Sequence, residues 1–152
     1  MRILLDTNIL LRLGDKSHPM HATATEAVNA LHKNGHVSVL VPQVLYEYWV
    51  VATRPAAVNG LGMDVTLVDQ VLAEWLAVYP LLHDERRVFE IWRDLVTAHQ
   101  VKGKNAHDTR LVAAMQRHGV QSLLTFNVAD FTRFSTIDVY SPAEILAGRI
   151  PT

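Results

Sequence analysis

Four acidic residues, Asp6, Glu47, Asp108 and Asp130, carry the chemistry this sequence offers. Asp6 stands in Ile3-Leu4-Leu5-Asp6-Thr7-Asn8-Ile9-Leu10-Leu11, an apolar run broken only by itself and its two small polar neighbours. An ionised carboxylate in such surroundings is costly to desolvate and needs a cation, hydrogen-bond donors or a solvent-facing turn. Glu47 lies in Val44-Leu45-Tyr46-Glu47-Tyr48-Trp49-Val50-Val51; its neighbours three and four positions away are Gln43, Val44, Val50 and Val51, so it projects from a largely apolar helical face. Carboxylates gathered at one place repel one another, which raises some of their pKa values unless cations neutralise them. Oxygen ligands without Cys or His favour Mg²⁺ or Mn²⁺, and Mg²⁺ usually completes its octahedron with water and phosphate oxygens. Metal-dependent phosphodiester hydrolysis is the reaction such a set serves best.

Each acid also has a plainer explanation. Asp6 suits a turn or helix N-cap, and Asp108 the acidic first turn of a helix. Glu47 can reach solvent past its own stem, and Asp130 can be a turn residue. The joint argument rests on position: all four are expected beside strand ends of one sheet.

Composition narrows the function classes. The 152 residues fit one domain, 1–152, and the 49% hydrophobic content is that of a packed globule. Fourteen Lys plus Arg against 15 Asp plus Glu give a formal net charge of -1, so a nucleic-acid ligand must be recognised locally or through bound metal. The chain has no cysteine, which removes disulfides, Cys nucleophiles and thiolate zinc sites and suits a reducing compartment such as the cytoplasm. The N-terminal apolar run meets Asp6 after three residues, too soon for a signal peptide or membrane span.

The elements that must position the acids follow from periodicity. Residues 2–5 read as a short buried strand and 9–13 as the beginning of a helix, with Asp6, Thr7 and Asn8 in the turn between them. A helix is expected over about 20–33, with Ala24, Ala27, Val28 and Leu31 on one face, and an apolar strand over 37–41. Pro42 opens a helix carrying Glu47 that ends before Arg54-Pro55. Asp64 can cap a helix over 65–78, and Asp84 the one after it. Lys102-Gly103-Lys104 reads as a basic turn, and Asn105 and Asp108 as a capping pair for a helix ending at Gly119. Strands over 122–125 and 137–140 enclose an irregular segment over 126–134, and Ser141, Pro142 and Glu144 signal a short closing helix. Strands alternating with helices imply an α/β fold around a central, mostly parallel sheet flanked by helices, with sites at the carboxyl ends of the strands.

The motifs Leu5-Asp6-Thr7-Asn8, Leu45-Tyr46-Glu47-Tyr48, His107-Asp108-Thr109-Arg110-Leu111 and Thr125-Phe126-Asn127-Val128-Ala129-Asp130-Phe131 resemble the ordered acidic motifs of the PIN-domain nucleases, more narrowly the VapC-type toxins of bacterial type II toxin-antitoxin pairs. The likeness runs from Leu4 to about Pro142 and rests on the order and spacing of the motifs together. It implies a Mg²⁺- or Mn²⁺-dependent endoribonuclease, often a homodimer, blocked by a cognate antitoxin protein. By position, Asp6, Glu47 and Asp108 match the family's first three acids. At the fourth place Asn127 stands where many members carry Asp, and Asp130 lies three residues on, as in others. Asn8 and Thr125 are expected to hold carboxylates, waters or substrate, and Arg110, Lys102 and Lys104 to meet RNA phosphate.

Other readings fit less well. His107-Asp108 suggests a phosphohydrolase of the His-Asp type, but strand signals around Ile3 and Val39 oppose its all-helical fold. Asp6-Thr7-Asn8 resembles the nucleophile loop of haloacid dehalogenases, with Asn8 in place of the second acid. The eight His form no His-Glu-x-x-His pattern, and Trp49, Trp75 and Trp92 fall on apolar helical faces suited to packing. A PIN-like module acting only through protein or RNA contacts, and a PIN nuclease of RNA processing, are the functional alternatives.

Overall fold

Residues 3–5 are apolar and almost wholly inaccessible, which is what a strand buried on both faces requires. In the computed structural model, which describes residues 1–152, they belong to β1 (Arg2–Leu5), the inner strand of a sheet ordered β2-β1-β3-β4. β2 is Val37–Val39, β3 Ser122–Leu124 and β4 Asp138–Tyr140, and every pairing is parallel. Leu4 lies opposite Val39 on one side and Leu123 on the other, and Leu124 opposite Tyr140. The connection after β1 runs to β2 on one side and the connection after β3 to β4 on the other, so the crevice beyond the carboxyl ends of β1 and β3 is the switch point where such sheets place their sites.

Seven helices cover this sheet: α1 (Thr7–Leu13), α2 (His21–Lys33), α3 (Pro42–Thr53), α4 (Val65–Val78), α5 (Arg86–Ala98), α6 (Asn105–His118) and α7 (Pro142–Leu146). α1 packs against α2 and α3, α2 against α7, α3 against α4, and α5 against α6. The core runs from Ile3, Leu4 and Leu5 through Ile9, Leu10, Leu31, Val44 and Tyr48 to Leu111, Met115 and Phe131. Trp49, Trp75 and Trp92 pack against its margin, with the Trp75 ring edge-on to Tyr48 at 4.6 Å. No helix is long and apolar enough to cross a membrane.

Local signals explain most boundaries. Asp64 caps α4, its Oδ1 accepting from the Thr66 N–H at 2.8 Å, and Ser141 with Glu144 closes a reciprocal capping box on α7. Gly119, at φ 69°, ends α6 in the left-handed conformation that glycine adopts without strain.

Four expectations are corrected. α1 begins at Thr7, not Ile9, so Asp6 is its N-cap and Thr7 and Asn8 form its first turn. β2 stops at Val39, because Val41 already caps α3 and Leu40 bridges to Leu81 instead. Glu85 occupies the N-cap of α5; Asp84 is drawn off to Arg110, its Oδ2 lying 3.0 Å from Nη2. Asn105 is the first residue of α6 and caps nothing with its side chain; its carbonyl accepts from the Thr109 hydroxyl at 2.8 Å.

Candidate active site

Asp6 and Thr125 leave the sheet side by side. The ladder continues one step past each strand, with Asp6 N–H donating to Leu124 O and Thr125 N–H to Tyr140 O, both at 3.0 Å. The Asp6 carboxylate is then 7% exposed and takes three donors: Thr7 N–H to Oδ1 at 2.7 Å, the Thr125 hydroxyl to Oδ2 at 2.7 Å and, at 3.4 Å, Asn8 Nδ2. Asn8 Nδ2 also donates to Thr125 Oγ1 at 3.0 Å, while Asn8 Oδ1 accepts from Phe126 N–H at 3.1 Å. Thr125 Oγ1 accepts from Asn127 N–H at 3.0 Å. Asn8 and Thr125 thus hold the Asp6 carboxylate and one another.

Glu47 is gripped on both oxygens. The Thr7 hydroxyl donates to Oε2 at 2.7 Å and Gln43 Nε2 to Oε1 at 2.9 Å. Thr7 therefore touches two acids, Asp6 through its backbone and Glu47 through its side chain. Gln43, buried one turn before Glu47, also donates to the His107 carbonyl at 2.8 Å, tying α3 to the first turn of α6, where Asp108 sits. Sequence reasoning passed over Gln43 and the hydroxyl of Thr7. The available signal was an amide four residues before an acid on an apolar helix face, the spacing at which side chains meet.

The electrostatics of the acids are linked. Burial pushes the Asp6 carboxyl up from 3.8 to about 6; its hydrogen bonds from Thr125 and Thr7 oppose this, and the charges of Glu47 and Asp108 add to it. The pKa of Asp108 is likewise raised, by burial first and then by the charges of Asp130 and Glu47, with His107 and Lys104 pulling the other way. Asp130, exposed in a 3-10 turn over Val128–Phe131, reaches the group through Asp108. Asn127 opens that turn, with its N–H on Thr125 and its residue exposed.

Asp6, Glu47 and Asp108 are thus brought to one edge of the sheet. They share a field without closing on a point, for no three His, Asp or Glu side chains are arranged to hold an ion among themselves. The donor set nevertheless fits a hard divalent cation: the acids are carboxylates alone, and Asp6 and Asp108 both carry pKa values raised by burial and by neighbouring carboxylates, Glu47 acting on each. A cation reverses that pressure, since an opposite charge favours the ionised form.

The basic candidates divide. Lys104 is close enough for its charge to act on Asp108. Lys102 is exposed in the turn before α6. Arg110 bonds to Asp84 and lies 3.5 Å by Nη1 from Gln43 Oε1, so its guanidinium stands one side chain away from Glu47.

Comparison with known proteins agrees with this architecture. The family model described as "PIN domain" matches residues 3–136. Among solved structures, VapBC2 of Rickettsia felis bound to a promoter DNA fragment superposes with a TM-score of 0.71 at 16% identity, covering 93% of this chain and 98% of that one. VapBC-1 of nontypeable Haemophilus influenzae gives 0.67 at 16% identity, covering 94% and 99%. The Mycobacterium tuberculosis toxin VapC20, described as cleaving the sarcin-ricin loop, gives 0.60 at 19% identity, covering 80% and 86%. No curated protein matches the sequence. With a switch-point crevice, ordered acids and a family model spanning most of its length, this chain belongs to the PIN domain family.

Proposed function

We propose that the protein is a divalent-metal-dependent endoribonuclease, the toxin of a type II toxin-antitoxin pair. The observation that carries this reading is the Asp6 carboxyl, held by two short hydrogen bonds and still pushed up to about 6 beside Glu47 and Asp108. A surface acid has no use for such a place; a cation ligand does.

Asp6, Glu47 and Asp108 would hold Mg²⁺ or Mn²⁺, with Asp130 as the fourth acid. Asp130 is favoured over Asn127 because its charge already acts on Asp108. The bound ion supplies Lewis acidity toward a phosphodiester and a water of lowered pKa. The chain's own residues do the positioning. Thr125 and Asn8 fix the orientation of Asp6, and Thr7 and Gln43 fix that of Glu47. Lys104, Lys102 and Arg110 supply local positive charge for the phosphates of a chain whose overall charge is -1.

The VapBC2 and VapBC-1 structures are toxin-antitoxin complexes, which supports a cognate antitoxin as partner. The exposed apolar side chains of α3 and α4, among them Tyr46, Val50, Val65, Leu67 and Val78, offer surface for that partner or for a second copy of the chain. We place the protein in the cytoplasm, where its RNA substrate is.

A PIN module acting through contacts alone is the second reading, favoured by the absence of three converging ligands. One experiment separates them: incubation of a mixed RNA pool with wild type and with Asp6→Asn, each titrated with Mn²⁺. Metal-dependent cleavage lost in Asp6→Asn is the expected result. A wild type that cuts nothing at any Mn²⁺ concentration supports the contact module and overturns the nuclease.

A further inference from the structure

The cavity between α5 and the first turns of α6 has no part in the acid cluster. It has a volume of about 390 Å³ and is lined by Val88, Phe89 and Trp92 below and by Asp84, Glu85 and Arg110 at its mouth. That volume falls within the span of small-ligand sites, about 300–1,000 Å³. Phe89 is 61% exposed, an unusual position for a phenylalanine on a helix that has a core to face. Its ring lies 5.9 Å from that of Trp92 with a 32° tilt. The Trp92 indole N–H is spent on the Ala106 carbonyl at 2.8 Å, which locks that ring against α6.

The mouth is not the anionic ring its two carboxylates suggest. Asp84 is paired with Arg110, and Glu85 with Arg117. Arg86 and Arg87 open α5 beside them and both reach Glu90, so the four arginines here outnumber the three carboxylates by one. The occupant must therefore be flat, apolar on its faces, polar at its edge and attached to negative charge. Arg110 is the link to the acids, for the same guanidinium lines the cavity and approaches Gln43, which holds Glu47.

We propose that this cavity receives one unstacked nucleobase of the RNA strand, a nucleotide or so from the bond to be cut, with Arg110 against the intervening phosphate. The inference rests on the nuclease reading and extends it to a specificity subsite. Aromatic side chains stack bases of single strands, and splayed bases are the usual target of sequence-selective RNA recognition. The carboxylates at the mouth accept hydrogen bonds from base amino groups, and so favour some bases over others.

The test uses a single-stranded RNA containing the cleavage sequence and a set in which each base in turn is replaced by an abasic ribose. In wild type, one abasic position near the cut is expected to raise KM about tenfold, the scale of one base-aromatic stack. Phe89→Ala is expected to raise KM similarly on intact RNA, to lose the preference at that position alone, and to show no further penalty with the abasic strand; Phe89→Tyr restores both. A melting temperature for Phe89→Ala within about 2 °C of wild type separates this from unfolding, as expected for a substitution on the surface. Penalties that multiply, or an RNA that tolerates abasic sites everywhere, overturn the subsite and leave the nuclease standing. Loss of a dimer in Phe89→Ala with KM unmoved assigns the cavity to a protein contact and overturns it too. Should wild type cut nothing, the nuclease reading fails, and filter binding of the same RNA set decides the cavity: binding weakened by the one abasic site and by Phe89→Ala supports it, and binding blind to both overturns it.

Discussion

The two halves of the acid cluster are built differently. Around Asp6 every donor is in place, set by the step past β3 and the first turn of α1: the buried Thr7 N–H and Thr125 hydroxyl, and the half-buried Asn8. Around Asp108 and Asp130 the carboxylates are half-buried and exposed, and the neighbouring cation Lys104 stands in an exposed turn. The contrast separates what folding alone assembles from what awaits a ligand. The strand ends of β1 and β3 form a finished corner, and the α6 side supplies charge to be gathered in.

Thr125→Val strikes the finished corner hardest. It removes the donor to Asp6 and the acceptor for Asn8 and for Asn127 N–H in one step. Cleavage is expected to fall about 10- to 100-fold, as for other groups that orient metal ligands. Stability is expected to fall by about 1–3 kcal/mol because a buried carboxylate loses its partner. Denaturant unfolding with both readouts checks this, and a neutral variant breaks the distinction between the halves.

Asp6→Asn sharpens it through pH. A carboxyl whose pKa rises from 3.8 unfolded to about 6 folded contributes most to stability below pH 4, and this is lost as pH climbs through 6. The ionised form therefore costs up to about 3 kcal/mol near neutrality. Since an amide keeps one acceptor oxygen for the two donors Thr7 N–H and Thr125 hydroxyl, a gain of about 1–2 kcal/mol at pH 7 is expected, turning into a loss of about 1 kcal/mol near pH 4. A variant destabilised equally at both pH values contradicts the account.

Gln43→Leu frees one oxygen of Glu47 and unties α3 from His107; about a tenfold loss of cleavage is expected, read at saturating Mn²⁺. Asp130→Asn is expected to be mildest. Stability stays within about 0.5 kcal/mol, as for other surface changes. The pKa of Asp108 falls, because the largest like charge beside it is gone. Carboxyl NMR titration reads this directly, and an unmoved Asp108 separates Asp130 from the cluster.

Sequence legibility follows the same division. The apolar strand ahead of Asp6, the Asp64 cap and the Ser141–Glu144 box are local signals, and the chain forms what they announce. Thr7 and Asn8 look like turn residues in sequence, yet they open α1, because their side chains serve Glu47 and Thr125 and leave the backbone free to be helical. Asp84 looked like a cap, but a guanidinium 26 residues on competes for it successfully. Gln43 belongs to no motif, and its part emerges only when α6 comes to lie beside α3. Short-range chemistry is written in neighbouring letters; partners distant in sequence are not.

The hydrogen bond between Asp6 and Thr125 spans 119 positions, and β1 finds its β3 partner only at Ser122–Leu124. During synthesis the first acid therefore emerges long before anything exists to orient it. Until Thr125 has left the ribosome the Asp6 carboxylate lacks its hydroxyl partner, so this corner of the crevice closes only after 119 further residues have been joined.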